Sequence, residues 1–329
     1  MRRTRRLGAA AWAIGIAAAA AAAEPATAVR AEARSLAAKI AALPARSRER
    51  ASALVGDVGR ELDAGRVWSA LEALREARRL EAAAASAGDS RQSFGSEWEE
   101  AEGRLRNETP SAAWTDAPAA ARALGEAAGG TAVPLLDASR AYAKVTDESS
   151  GRYYLGEALE AAAFARLCRT IGGTARPAPP WRSIAPELAK LQERVDAAFV
   201  PPRSIERHSE FIRLDASLKT ARELDAAGLF AGAGYEYLTA VEQPGRLEER
   251  TGGAGDARKL VEERRALADS RRDESLGLLF VERAEADPEA AAVIAGSVLP
   301  AYRAMLEPAP AAIPAASTVT VTLVRWPYT

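Results

Sequence analysis

The sequence predicts an almost wholly α-helical protein, and three observations support that prediction. Alanine, which has the highest intrinsic helix propensity, is the most frequent residue. Apolar residues recur three and four positions apart along most of the chain, as they do on one face of a helix. Turn signals rich in Gly, Pro and Ser separate these periodic segments. We expect antiparallel helical hairpins that form a solenoid or an irregular bundle, followed by one short β-strand near the C-terminus.

The first 23 residues have the layout of a secretory signal peptide. Arginines crowd the first six positions, an apolar run extends from Leu7 to Ala23, and its last residues are small enough for signal peptidase. An uncleaved membrane anchor is the alternative, but it needs about 20 strongly apolar residues. We therefore expect cleavage near Ala23, no membrane span in the mature chain, and export to the periplasm or the extracellular space of a bacterium.

Periodic segments and turn signals predict seven helices in an N-terminal region over residues 24–173. Gly129-Gly130 is expected to end the fifth helix, Ser149–Gly151 is expected to form a turn, and the charged fourth helix is expected at the surface. The seven predicted helices are Ala28–Leu43, Arg48–Ala64, Val67–Ala85, Ser90–Arg106, Thr109–Gly130, Val133–Val145 and Tyr153–Ile171.

A Pro-rich stretch after Gly172-Gly173 predicts a domain boundary or hinge. The C-terminal region, 174–306, is expected to hold five more helices, with a Gly-rich surface loop between Glu242 and Gly255. These helices are Ala185–Phe199, Ser204–Ala227, Leu229–Val241, Asp256–Ala286 and Pro288–Leu306.

The last 23 residues, 307–329, form a Pro/Ala-rich linker and a segment of different character. From Ser317 to Trp326, Val and Leu alternate with Thr, which is typical of a half-buried strand. A strand needs a partner for its backbone donors and acceptors. This segment either packs loosely, pairs within the chain or adds to a sheet on another molecule.

Three places share one spacing, in which a Gly is followed by a small residue five positions later and another seven positions after that. They are Gly65/Ala70/Ala77, Gly156/Ala161/Cys168 and Gly228/Ala233/Ala240. This pattern resembles the tetratricopeptide repeat, a helical hairpin of about 34 residues with Gly between its helices. Segments 61–77 and 224–240 match best, whereas Gly151 is the better turn in the middle match. The resemblance implies a concave surface for peptides or proteins, and generic helical hairpins remain the alternative.

The sequence offers no pattern typical of a catalytic, cofactor or metal site. His208 is the only histidine and Cys168 the only cysteine, and neither lies in a nucleophile or metal-ligand motif. The many carboxylates alternate with Arg at the spacing of a solvated helix face. With a net charge of −1, nothing favours nucleic acid as a partner. We therefore expect neither an enzyme nor a bound cofactor.

Tyrosines close to the shared Gly pattern are the best candidates for contacts with a partner. We assign this role to Tyr153, Tyr154, Tyr235, Tyr237 and, in the terminal strand, Trp326, because aromatic residues are enriched in binding hot spots. Filling the core is their alternative role. The sequence thus predicts a non-catalytic extracytoplasmic scaffold that binds a protein or peptide. Two alternatives are a helical ligand-binding protein or enzyme with an internal pocket, and an envelope assembly subunit that uses the C-terminal strand.

Overall fold

A computed structural model describes residues 24–88, 92–106, 114, 116–173, 176–198, 207–247, 254–287 and 289–307. Side chains are not described at 244–247 and 254–257. The predicted signal peptide, the Pro/Ala-rich linker beyond Glu307 and the predicted strand from Ser317 to Trp326 lie outside these ranges.

The all-α prediction is confirmed, because the described residues form twelve helices and no strand. None of these helices is both long enough and apolar enough to cross a membrane. The helices are α1 (Pro25–Ile40), α2 (Ala45–Asp63), α3 (Val67–Gly88), α4 (Phe94–Leu105), α5 (Ala119–Val145), α6 (Glu148–Thr170), α7 (Ala185–Ala198), α8 (His208–Ala226), α9 (Phe230–Leu247), α10 (Ala254–Asp269), α11 (Ser275–Ala286) and α12, which runs through Ala291–Val293, a π-helical turn at Ile294–Val298, and Leu299–Leu306.

The twelve helices form two sets of six with the same neighbours. In the first set, α1, α2 and α3 pack on one another, α3 packs on α6, and α4, α5 and α6 pack on one another. In the second set, α7 to α12 repeat these pairings in the same order. The sets meet where α9 packs on α5 and where α11 packs on α3 and α5. The Pro-rich stretch lies between the sets, and the main hydrophobic core draws residues from both.

Glycine makes the turn between the second and third helices of each set, as the sequence predicted for Gly65 and Gly228. Both residues have a φ of 75°, a left-handed conformation that side chains with a Cβ rarely adopt. Gly65 joins α2 to α3, and Gly228 joins α8 to α9. Gly156, by contrast, lies inside α6, as expected from the poorer middle match.

The predicted break at Gly129-Gly130 is wrong, because α5 continues through both glycines and through Pro134 to Val145. A Cβ on Gly130 would lie 2.2 Å from Leu224 Cδ2, and one on Gly129 would lie 3.1 Å from Ala165 Cβ. The two glycines therefore let α8 and α6 approach α5 closely. Their role is packing, which local sequence cannot distinguish from helix termination.

Two further helix boundaries differ from the prediction. Ser149–Gly151 lies inside α6 rather than in a turn, because Asp147 caps this helix by accepting a hydrogen bond of 2.6 Å from Ser150 N. The single helix predicted over Asp256–Ala286 is divided into α10 and α11 around residues 270–274. A carboxylate in this break, on Asp273, accepts a hydrogen bond of 2.5 Å from Ala119 N at the start of α5.

Helix α4 covers the distal part of the α5–α6 hairpin through a second, smaller hydrophobic cluster. Phe94 and Trp98 of α4 are buried there against Leu136 and Leu155. The Trp98 indole donates a hydrogen bond of 2.8 Å to the carbonyl of Leu136. The charged side of α4 is exposed, as predicted. This cluster supports the part of the hairpin that carries the exposed Tyr142 and the half-buried Tyr153 and Tyr154.

Candidate functional site

The candidate site is built on a stripe of alternating charge along α3. Glu72, Arg75, Glu76 and Arg79 are spaced so that they share one side of the helix, and we call them the α3 stripe. The stripe spans two turns, or about 10 Å. All four side chains are partly exposed. The stripe is therefore within reach of solvent along its whole length.

Arg283 of α11 holds the first end of the stripe in place. Its guanidinium donates to both carboxylate oxygens of Glu72, with Nε 2.7 Å from Oε2, and its Nη1 lies 2.8 Å from Glu242 Oε2. Burial by itself would raise the pKa of Glu72, but the charge and hydrogen bonds of Arg283 hold that pKa below its usual value. Glu72 is therefore ionised and paired at neutral pH.

Tyr235 of α9 completes this end of the site. Its hydroxyl donates a hydrogen bond of 2.5 Å to Glu72 Oε1. The guanidinium carbons of Arg75 and Arg283 each lie 5.7 Å from the centre of its ring, within the range of cation–π attraction. Burial and the charge of Glu72 raise the pKa of the phenol, so it stays protonated and serves as a donor.

Arg79 connects the second end of the stripe to α6. It donates to both oxygens of Glu76, at 2.7 and 2.8 Å, and to Glu157. Burial raises the pKa of Glu157, although the charge of Arg79 opposes this rise. The Tyr153 hydroxyl lies close enough to Glu157 to favour a lower pKa for that carboxyl, which places this tyrosine at the same end.

An aromatic surface lies beside the second end of the stripe. The rings of Tyr142 and Tyr154 are stacked, with centroids 4.1 Å apart and planes 15° apart, and Tyr153 meets Tyr154 edge-on at 5.5 Å. A hydrogen bond between the hydroxyls of Tyr142 and Tyr154 raises the pKa of Tyr154 to about 12. Tyr142 is 42% exposed. We call Tyr142, Tyr153 and Tyr154 the tyrosine face.

Neither the single cysteine, Cys168, nor the single histidine, His208, provides this site with an activated nucleophile. Burial raises the pKa of the Cys168 thiol, which is fully enclosed. His208 is exposed at the first residue of α8, away from the stripe. Within the described residues, no group of three or more His, Cys, Asp or Glu side chains has the arrangement of a metal site. The site offers paired charges, phenol hydroxyls and aromatic surface.

A separate open cleft of about 500 Å³ lies where the two six-helix sets meet. Its walls come from the first residues of α1, α3, α5 and α11 and from the end of α10. Polar and aromatic groups line it, among them Trp68, Arg176, Asp273 and Glu274. A cleft of this volume with both polar and aromatic walls resembles typical small-ligand sites in size and lining.

The structure brings three of the five predicted contact residues to the α3 stripe. Tyr235 lies at one end, and Tyr153 and Tyr154 lie at the other. Tyr235 and Tyr237 are buried, which favours the core-filling alternative for these two residues. Trp326 lies outside the described residues.

Sequence reasoning missed the charged partners of the site and one of its tyrosines. Tyr142 lies eleven or twelve positions before the other two members of the face, so only the α5–α6 hairpin brings the three together. Arg283 is 211 positions from Glu72, and no local pattern joins the two. The spacing from Glu72 to Arg79 was visible, but it equally fits an ordinary solvated face.

The described residues form an all-α protein in which charged pairs and tyrosines share one surface. Comparisons with protein-family models, with curated proteins and with solved structures found no match to this chain.

Proposed function

We propose that this protein is an exported, non-catalytic scaffold that binds an extended segment of another protein or a peptide on the tyrosine face. The observation that carries the proposal is the stacked Tyr142–Tyr154 pair, which lies partly exposed beside a stripe of fixed charges. Tyrosine presents a large contact area at a low cost in side-chain entropy and adds a hydroxyl for hydrogen bonds.

The ion pairs of the α3 stripe support this proposal because they are organised before any partner arrives. Arg79 is held by Glu76 and Glu157, and Glu72 is held by Arg283, so these side chains have little freedom left to lose on binding. A segment lying across the tyrosine face would contact the aromatic rings there and the fixed donors and acceptors of the neighbouring α3 stripe. We expect moderate affinity with high geometric selectivity.

The test uses the mature chain, 24–329, as bait in an extract of the cell envelope of its host. Captured proteins are identified by mass spectrometry, and the binding of each is then measured with the purified pair. We expect the double variant Tyr142→Ala/Tyr154→Ala to weaken binding by about tenfold or more, as loss of an aromatic hot spot does.

The matched control is Ile212→Ala/Val261→Ala, which removes two exposed apolar side chains from α8 and α10. The control should bind like the wild type. Equal binding by the tyrosine double variant, with an unchanged circular dichroism spectrum, would refute the proposal. If both double variants weakened the binding of a partner equally, that result would also count against binding on the tyrosine face.

A second candidate function is small-ligand binding in the cleft between the two helix sets. The cleft has the volume of typical ligand sites, and it combines Trp68 with charged groups of both signs. Protein purified from its host would be denatured, and the released small molecules compared with those released by a Trp68→Ala variant. Identical profiles would remove this candidate.

A third candidate, assembly through the C-terminal strand, is favoured by the alternation of apolar residues from Ser317 to Trp326. Light scattering on the mature chain with and without Ser317–Thr329 tests it. A change in oligomeric state supports intermolecular pairing, and identical protomer numbers would argue against it.

A further inference from the structure

The two hairpin turns are alike in their backbone hydrogen bonds as well as in their glycines. Gly65 N donates to the carbonyl three residues earlier at 3.1 Å, and Gly228 N does the same at 3.0 Å. In each turn, the residue after the glycine donates to the carbonyl five residues before it, at 2.8 and 2.9 Å. Four residues further on, Ala70 and Ala233 each close the first turn of the next helix. The two hairpins are therefore built in the same register.

Each hairpin has its second helix capped by a buried glutamate from the other six-helix set. Glu282 of α11 accepts hydrogen bonds from Trp68 N at 2.8 Å and Ser69 N at 2.9 Å, at the start of α3. Glu126 of α5 accepts hydrogen bonds from Ala231 N and Gly232 N, both at 3.0 Å, at the start of α9. Free N–H groups at a helix start favour a carboxylate in this position.

The two caps are equivalent both in the residues that donate the hydrogen bonds and in the glutamates that accept them. The donors are the third and fourth residues after the turn glycine in both hairpins. The acceptors, Glu126 and Glu282, are each the eighth residue of their helix. Glu72 and Tyr235, which bond to each other between the sets, are each the seventh residue after a turn glycine. Two helical regions without a common origin would not be expected to share the positions of these donors, acceptors and contact residues.

Close packing at one of the two caps shows how tightly the sets are joined. A Cβ on Gly232 would lie 2.7 Å from Ala127 N and 2.9 Å from the Glu126 carbonyl carbon. Only glycine allows the start of α9 to approach the backbone of α5 this closely. The equivalent position in α3 is Ser69, which is buried.

A short sequence repeat accompanies the two turns. The pentapeptide Arg-Glu-Leu-Asp-Ala occurs at 60–64, directly before Gly65, and again at 222–226, one residue before the Ala227–Gly228 turn. Because Ala227 lies between the second pentapeptide and Gly228, the two pentapeptides are offset by one residue relative to their turn glycines. Both pentapeptides stand at the end of the helix that precedes the turn glycine.

We infer that the chain is an internal duplication of a six-helix unit. Each copy provides one buried glutamate that caps a helix of the other copy, and we call this pair of caps the clasp. Glu126 of the first copy completes α9 of the second, and Glu282 of the second completes α3 of the first. Each copy therefore leaves two backbone donors of its own hairpin to be satisfied by the other. The clasp couples the folding of the two copies.

Matching the two copies also shows which part of the first copy has no equivalent in the second. When Glu126 is matched with Glu282, the end of α11 at Ala286 corresponds to Gly130 in α5. The rest of α5, Thr131–Val145, has no counterpart in the second copy. Tyr142 lies on this extension, and so does part of the small cluster beneath α4.

Hydrogen exchange of the full mature chain, followed by mass spectrometry, tests the clasp. Glu126→Ala should speed exchange in the first turn of α9, and Glu282→Ala should speed it in the first turn of α3. Each effect then appears in the copy that does not carry the substitution. We expect an acceleration of about tenfold or more at these amides, because each loses its acceptor.

Glu157→Ala is the matched control, since Glu157 is equally buried but is bonded within its own copy, to Arg79. It should speed exchange in the first copy alone. The proposal is overturned if Glu126→Ala and Glu282→Ala act only within their own copies, as the control does. If either alanine variant fails to fold, the glutamine variants, which keep one acceptor oxygen, should show a smaller acceleration at the same amides, and its absence would equally overturn the clasp.

Discussion

At the scale of single residues, the carboxylates where the two helix sets meet differ in what balances their charge. Glu72 is paired with Arg283, and its pKa is lowered. Glu282 is bonded to two backbone N–H groups, and burial raises its pKa to about 7 even though these bonds and Arg264 oppose the rise. Glu285, close by on the same helix, adds to it. Backbone N–H groups, even with the added charge of Arg264, therefore balance this carboxylate less well than the directly bonded guanidinium of Arg283 balances Glu72.

The raised pKa of Glu282 predicts a pH-dependent contribution to stability. The folded chain holds this proton more tightly than the unfolded chain, whose glutamate titrates near the ordinary value of 4.5. The contribution is therefore fully present below about pH 4.5 and is lost as the pH rises through about 7, and it amounts to at most about 3 kcal/mol. Glu282→Gln should remove this part of the pH dependence.

Urea unfolding of the wild type and of Glu282→Gln between pH 4 and pH 8 measures this effect. The glutamine keeps an acceptor for the first turn of α3 but does not titrate. The difference in unfolding free energy between the two proteins should change across this range in favour of the variant at high pH. A constant difference would mean that the carboxylate titrates normally in the folded state.

At the scale of elements, the α2–α3 hairpin depends on a backbone conformation that only its turn glycine adopts easily. Gly65→Ala should destabilise the protein by about 1 kcal/mol, because a Cβ at positive φ is strained even though no atom lies near it. Gly59→Ala, inside α2 and also with free space around it, should instead stabilise by about 0.5–1 kcal/mol. Thermal melts of both variants give the comparison, and equal shifts of the same sign would contradict it.

Periodicity and turn residues were sufficient to predict most helices, because an amphipathic helix carries its pattern locally. The predictions of α2 and α3, and of Gly65 between them, follow from that pattern. The prediction was wrong at Gly129-Gly130, where the glycines serve contacts with Leu224 and Ala165 that no local pattern records. The site was predictable only in Tyr153, Tyr154 and Tyr235, since the hairpin that adds Tyr142 and the distant helix that supplies Arg283 leave no local pattern.

At the scale of the whole molecule, one hydrophobic core runs through both copies and encloses the only thiol. Cys168 is completely buried in α6, and burial also raises the pKa of the thiol. We expect a maleimide to label the folded chain at least about a thousandfold more slowly than the urea-unfolded chain, because reaction requires an opening of the core. Comparable labelling rates in the two states would mean that α6 is not enclosed as described.

Helix α5 is longer than its counterpart α11, and this difference determines how many tyrosine faces one chain offers to a partner. A duplicated framework ordinarily offers each surface twice, as a two-fold dimer does. Here the helical extension that carries Tyr142 occurs in only one of the two copies. The chain is thus monovalent for whatever binds its tyrosine face, and a titration with such a partner should reach saturation at a molar ratio of one.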